Sequence, residues 1–362
     1  MAILIDARVK SAIHNWAPRF IANGVDYNDF VDATTRIKEW REWCSVWSSI
    51  GAVHRRLADA SLAEGFTLSA SRHFFQAAMA YHFGKFLFVD WPAERRRASQ
   101  LTVEYYARAV ELSPTPGQRV EIPGLDSNPI PGVLRRPAQE PCPPVVILIP
   151  GLDSVKEEMH CYGDDFLARG MAVLAIDGPG QGELEDAGIM MRPDYETVVS
   201  AVVDYVQGRP DLNGRVVGLM GVSVGGYYAV RAAAHDSRIV AAIESGGPYS
   251  LAEDFDAVPE LTRRAFVVRT GSADEETARQ YLLQFTLHGV LDKVSRPLLI
   301  IHGGRDRLFP VEVAQRIAKE VGEHAELWVV EEGNHLCNNM PYAVRPRQAD
   351  WMKSVLTTGR SR

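Results

Sequence analysis

Arg215-Val-Val-Gly-Leu-Met-Gly-Val-Ser-Val-Gly-Gly226 is the stretch from which the rest of the chain can be read. It predicts a short buried strand over 216–220, a turn, and a helix running from Tyr227 to Ala234. Within it Gly221-Val-Ser-Val-Gly225 fits G-x-S-x-G, in which glycines let a serine sit on a turn tight enough to project its hydroxyl above a parallel sheet. Ser223 is therefore the candidate nucleophile. An ordinary glycine-rich turn is the bland alternative, and the pentapeptide alone does not exclude it.

The surrounding chain argues for the first reading. From residue 145 onward, apolar strands alternate with amphipathic helices: strands at 145–149, 172–176, 216–220 and 239–243, with helices at 157–169, at 195–206 and after Ser223. After a break the alternation resumes with strand 297–301, helix 311–321, strand 326–330 and a closing helix at 347–356. Such alternation implies an α/β fold with a mostly parallel sheet and helices on both faces. Two further strands, 119–122 and 130–135, are expected as a hairpin around the loop 123–129. The break, about 248–290, reads as three helices (251–255, 260–268, 275–287) inserted as a cap over the active edge of the sheet.

Residues 1–112 read as helical, with apolar side chains at helical spacing in 40–50, 72–81 and 101–110, and Pro92 suited to a first helical turn. Their many aromatic residues are expected mainly as core, although a pocket or subunit interface would use the same residues. His73 and His82 read as packed helical histidines. Ser113-Pro-Thr-Pro-Gly117 is the expected join to a second domain, 113–362.

In open α/β sheets functional groups gather at the carboxyl ends of the strands. Strand 297–301 runs into His302-Gly-Gly-Arg-Asp306, and strand 326–330 into Glu331-Glu-Gly-Asn-His335. The order Ser223, Asp306, His335 is that of a hydrolase triad, in which the imidazole takes the serine proton and the carboxylate fixes the imidazole. Asp306 could alternatively cap the helix that begins near Val311. Backbone N–H groups of Val224 and of Leu152, in Pro150-Gly-Leu-Asp-Ser154, are the candidate oxyanion donors. Asp153, Ser154, Lys156 and Glu157 are expected to brace that loop. Asp177-Gly-Pro-Gly-Gln-Gly182 lacks G-x-G-x-x-G spacing and reads as a rigid turn beside the cleft, not a nucleotide loop. His160-Cys161 stands without H-E-x-x-H, so neither metal nor cofactor is expected.

A net charge of −7 offers no general attraction to nucleic acid or anionic lipid. Cys44, Cys142, Cys161 and Cys337 lack the paired spacing of a disulfide framework or zinc site. With no long apolar run and an opening that turns charged after three apolar residues, a cytoplasmic protein acting on a small molecule is the expectation.

The helical N-terminal region, P-G-L-D-S-x-K-E, D-G-P-G-Q-G-E, G-x-S-x-G-G and the late Asp and His together resemble the serine α/β-hydrolases typified by 2,6-dihydroxypseudooxynicotine hydrolase of bacterial nicotine breakdown. The chain is similar, too, to the fungal hydrolases that shorten polyketide chains in pigment synthesis. The resemblance spans essentially the whole chain. It implies hydrolysis of a carbon–carbon bond beside a ketone, an eight-stranded α/β-hydrolase sheet, N-terminal helices that close the pocket, and a homodimer. It also implies a further acid in the cap; Glu253, Asp254, Asp256 and Glu260 stand in that neighbourhood, with Glu253 and Asp254 the candidate substrate contacts. An ester, lactone or thioester hydrolase or an acyl transferase would use the same triad, and a non-catalytic binding protein would need none of it.

Overall fold

Two compact units, Met1–Gln118 and Arg119–Arg362, make up the chain. A computed structural model describes residues 5–124 and 128–358; the middle of the 123–129 loop and the first four residues lie outside the described residues.

The first unit is built of α1 (Ala7–Ala22), α2 (Tyr27–Arg36), α3 (Trp43–Ala63), α4 (Thr67–Lys85) and α5 (Pro92–Glu111). Asp6 and Asp26 cap the first two through their carboxylates, and Pro92 opens the last with its fixed φ and missing N–H. The aromatic spacing is core: Phe20 stacks on Phe83 at 4.0 Å, and Trp43 Nε1 donates to the Phe83 carbonyl at 2.8 Å. Trp40, Trp43 and Trp47 are fully buried in this cluster.

In the second unit the strands are β1 (Gly117–Ile122), β2 (Ile130–Arg135), β3 (Pro144–Ile149), β4 (Ala172–Ile176), β5 (Asn213–Val222), β6 (Ile239–Ser245), β7 (Leu298–Gly303) and β8 (Ala325–Val330). They form one sheet in the order β1-β2-β4-β3-β5-β6-β7-β8. Strand β2 runs antiparallel to β4, and every later neighbouring pair is parallel. Because side chains alternate across a strand, Val146, Leu148, Met220, Val222 and Ile243 face one way and pack with Phe166 and Met352. Those partners belong to α6 (His160–Leu167) and α13 (Pro341–Thr358). The opposite face is closed by α8 (Glu196–Gln207), α9 (Val224–His235) and α12 (Val311–Val321), while the short α7 (Gly182–Asp186) follows β4.

The insertion after β6 holds α10 (Glu260–Thr270) and α11 (Glu275–Leu282). Residues 251–255, expected as a helix, are turns, and the helix expected to reach 287 stops at Leu282. The reason is shared: the two ends of the insertion pair with each other. Leu251 N donates to Phe285 O at 3.0 Å and Leu287 N to Tyr249 O at 2.9 Å, around a Ser250–Thr286 bridge. This neck uses in β fashion the backbone groups that a helix would need. The insertion also holds to the β4 side through a buried Arg269–Glu185 pair at 3.2 Å and through Met191 N donating to Arg269 O at 2.9 Å. Helix α6 begins three residues later than expected, after turns at 156–159, and α13 begins six residues earlier, at Pro341.

Candidate active site

Ser223 sits between β5 and α9 with φ 55° and ψ −126°, a strained conformation for a residue with a Cβ. Its amide is tied to Ser245 O at 2.8 Å, which locks the elbow to the end of β6. The glycines of the motif are needed for close approach, since a Cβ at Gly225 would collide with the carbonyl oxygens of Ile149 and Pro150. Gly151 faces the nucleophile: a Cβ there would lie 3.1 Å from Ser223 Cβ and 3.7 Å from its Oγ. The loop after β3 thus passes directly beside the serine.

Asp306 and His335 are brought together. His335 Nδ1 lies 2.7 Å from Asp306 Oδ2, and Asp306 Oδ1 accepts from the amides of Leu308 and Phe309 at 2.8 and 3.2 Å. Burial would raise the Asp306 carboxyl, but His335, His302 and the Leu308 amide outweigh it and hold it below its ordinary value. His302 Nε2 donates to Phe309 O at 2.9 Å and stands 3.7 Å from Asp306 Oδ2. Burial lowers the pKa of His302, so it braces the acid loop as a neutral ring. Phe309 meets the His335 ring edge-on with centroids 5.8 Å apart. Past the imidazole, Leu336 and Cys337 adopt φ of 60° and 51°. Three of the four non-glycine residues with positive φ among those described therefore lie at Ser223 and beside His335. Among the described residues Ser223 Oγ has no hydrogen-bond partner; such bonds commonly tighten only when substrate is seated.

The Leu152 and Val224 amides donate to no protein acceptor among the described residues. They flank Ser223 from the β3 loop and from the first turn of α9, so both remain open to a developing negative charge. Glu253 points outward and pairs with Arg316 at 3.3 Å. Asp254 is half-buried; burial first, then the charges of Glu253 and Asp306, push its carboxyl up to about 6. Asp256 pairs with Arg279 at 2.8 Å.

A model of the FrsA-like esterases matches residues 23–354. The chain belongs to the FrsA-like esterase family. It is an α/β-hydrolase enzyme. It is 33% identical over 99% of its length to 2,6-dihydropseudooxynicotine hydrolase of Paenarthrobacter nicotinovorans, covering 96% of that protein. The crystal structure of 2,6-dihydroxy-pseudo-oxynicotine hydrolase superposes with a TM-score of 0.88 at 32% identity, over 96% of this chain and 97% of that one. The 20-hydroxy-prefusarin hydrolase FUS2 of Gibberella moniliformis is 33% identical over 64% of this chain and 58% of its own length.

In this FrsA-like chain Glu244 escapes a reading of the sequence, and of a second feature, a charged cluster, only Lys156 and Glu157 are expected there, as braces of the loop after β3. Glu244 on β6 is fully buried; its Oε1 accepts from Gly247 N, its Oε2 has no partner among the described residues, and burial pushes its carboxyl up to about 8. An acidic residue closing an apolar strand was the available signal. In the cluster Lys156 Nζ lies 2.7 Å from Glu157, 2.8 Å from Asp177 and 2.7 Å from Glu183. The three carboxylates converge as metal ligands would, but the buried ammonium occupies their centre. Burial opposes that charge, yet the three acids outweigh it and raise the Lys156 pKa. Among the described residues no helix is long and apolar enough to cross a membrane.

Proposed function

We propose that this chain hydrolyses a carbon–carbon bond next to a ketone, in a β-diketone or an acylated aromatic compound, through Ser223, His335 and Asp306. The observation that supports it most is the likeness over nearly all of both chains to 2,6-dihydropseudooxynicotine hydrolase. His335 takes the Ser223 proton as Oγ attacks the ketone carbonyl, and the amides of Leu152 and Val224 hold the oxyanion. Collapse of the adduct breaks the carbon–carbon bond and leaves an acyl-serine. The departing carbanion or enolate takes a proton from the His335 imidazolium or from the cap. Asp254 suits that second role better than Glu253, because it is half-buried, is held protonated to higher pH, and has Asp306 within its field. Water, activated by His335, then releases the acid.

The family's own description as esterases supports a second reading, hydrolysis of an ester, lactone or thioester by the same steps with an oxygen or sulfur leaving group. Purified protein offered β-diketones, acylated phenolic ketones and simple aryl esters separates the two. Rapid ester turnover with no ketone cleavage would defeat the first, and unchanged activity in Ser223→Ala would defeat both. A cytoplasmic homodimer acting without metal or cofactor completes the proposal. Light scattering tests the dimer, and activity retained after exhaustive chelation tests the independence from metal.

A further inference from the structure

The side chain of Gln181 is 3% exposed and uses every hydrogen-bonding position it has. Its Nε2 donates to Pro150 O at 2.6 Å and to Gly151 O at 3.2 Å. Its Oε1 accepts from Gly178 N at 2.9 Å and from Tyr195 OH at 2.9 Å. Because the two carbonyls can only accept and the Gly178 amide can only donate, the orientation of the amide is unambiguous. Four residues away, Asp177 grips the other end of the same loop: Oδ1 accepts from Lys156 N and Oδ2 from Lys156 Nζ, both at 2.8 Å. The arch from Pro150 to Lys156, with Leu152 inside it, is therefore clamped at both ends by the loop that follows the neighbouring strand β4.

We propose that Gln181 is a positioning residue for acyl transfer: by fixing the Pro150 and Gly151 carbonyls on its own amide, it aims the next amide, Leu152 N–H, at the oxygen that becomes negative. A peptide plane carries its carbonyl and the following N–H on opposite sides, so fixing Gly151 O on Gln181 fixes where Leu152 N–H points. The grip of Asp177 on Lys156 prevents the arch from rotating about that anchor. Tyr195 acts one step further out, orienting the Gln181 amide through Oε1. This inference rests on the reading of Ser223 as nucleophile and Leu152 as oxyanion donor.

The test uses the full chain and an alkyl fluorophosphonate, which needs no knowledge of the natural substrate. Ser223 Oγ bonds to phosphorus, fluoride leaves, the hydroxyl proton passes to His335, and the phosphoryl oxygen occupies the oxyanion position. Gln181→Met removes both donors at nearly constant volume, and the second-order labelling rate is expected to fall roughly 10- to 100-fold. Gln181→Glu keeps the Oε1 bonds but sets an acceptor against two carbonyls, and the same fall is expected. Tyr195→Phe, which leaves both Nε2 bonds, is expected to lose less than about fivefold. Rates are read well below the melting temperature of each variant, so a purely structural role lowers that temperature without moving the rate. Labelling of Gln181→Met within threefold of wild type would overturn the proposal; where that variant does not fold, Gln181→Glu decides by the same criterion. A Tyr195→Phe loss equal to that of the Gln181 variants would also overturn it. Wild-type protein that is not labelled at Ser223, or Ser223→Ala labelled equally well, would instead sink the underlying reading, and the positioning role with it.

Discussion

Asp306 Oδ2 stands 2.7 Å from His335 Nδ1, while the other carboxylate oxygen is tied to two backbone amides. A carboxylate so placed selects the imidazole tautomer with its proton on Nδ1 and its lone pair on Nε2, the form a general base requires. Asp306→Asn keeps the shape and reverses that preference. Its kcat is expected to fall by about 10⁴ with KM changed far less. Steady-state kinetics on whichever substrate class the protein accepts checks this, and a loss confined to KM would contradict it.

Asp254 gives a prediction in pH. With its carboxyl raised to about 6, the proposed proton donor empties as pH rises through that value, and kcat should decline there. Asp254→Asn should lower kcat by roughly 10² and abolish that decline. Glu253→Gln removes a neighbouring negative charge that helps raise Asp254, so the decline should move to lower pH. A profile identical in all three proteins would remove Asp254 from the mechanism.

Glu244 predicts a slope in stability. Its folded carboxyl, near 8 against an ordinary 4.5, binds a proton that the unfolded chain has already released between those values. The folded state therefore loses stability relative to the unfolded state as pH rises from about 4.5 to about 8. Glu244→Gln keeps an acceptor for Gly247 N and cannot ionise. Its melting temperature should exceed that of wild type by a margin that widens from pH 5 to pH 8. A constant margin in calorimetry would show that Glu244 is not protonated in the fold.

Lys156 is expected to be among the least replaceable residues of the second unit. Lys156→Met would leave Glu157, Asp177 and Glu183 buried around no cation, at a cost of about 3–5 kcal/mol in chemical unfolding. Lowering the pH should restore part of it, because neutral acids no longer repel one another.

Within the helical unit, Trp47 Nε1 is buried with no partner among the described residues. Trp47→Ala should cost about 3–5 kcal/mol as a cavity. Trp47→Phe should cost clearly less, since it also removes an unsatisfied donor. Equal costs by urea unfolding would show that the indole N–H is satisfied in solution.

Much of the sheet is legible in the sequence because strands buried on both faces leave uninterrupted apolar runs, as in Val145 to Ile149. Residues 251–255 mislead because Leu251, Ala252 and Phe255 fall at helical spacing while the chain entering them pairs far away, Leu251 with Phe285 and Tyr249 with Leu287, more than thirty positions on. Asp306 and His335 could be found because each lies in the loop that follows a strand. The bonds of Gln181 to Pro150 and of Lys156 to Asp177 could not, since they join loops whose proximity comes only from β3 lying beside β4. Glu244 was hidden for a related reason: a charged residue at a strand end normally marks the surface, and here Gly226 and Gly247 leave room for it inside.

One ammonium answering three carboxylates couples two distant stretches of sequence. Losing Lys156 alone strands surplus negative charge, and losing any of the acids alone weakens what keeps the lysine ionised. Drift at either stretch should therefore be tolerated mainly when the other changes in step, so that a relative with an apolar residue in place of Lys156 has also surrendered carboxylates at 157, 177 or 183. The pair would then be inherited as a single unit although twenty residues of chain separate its halves.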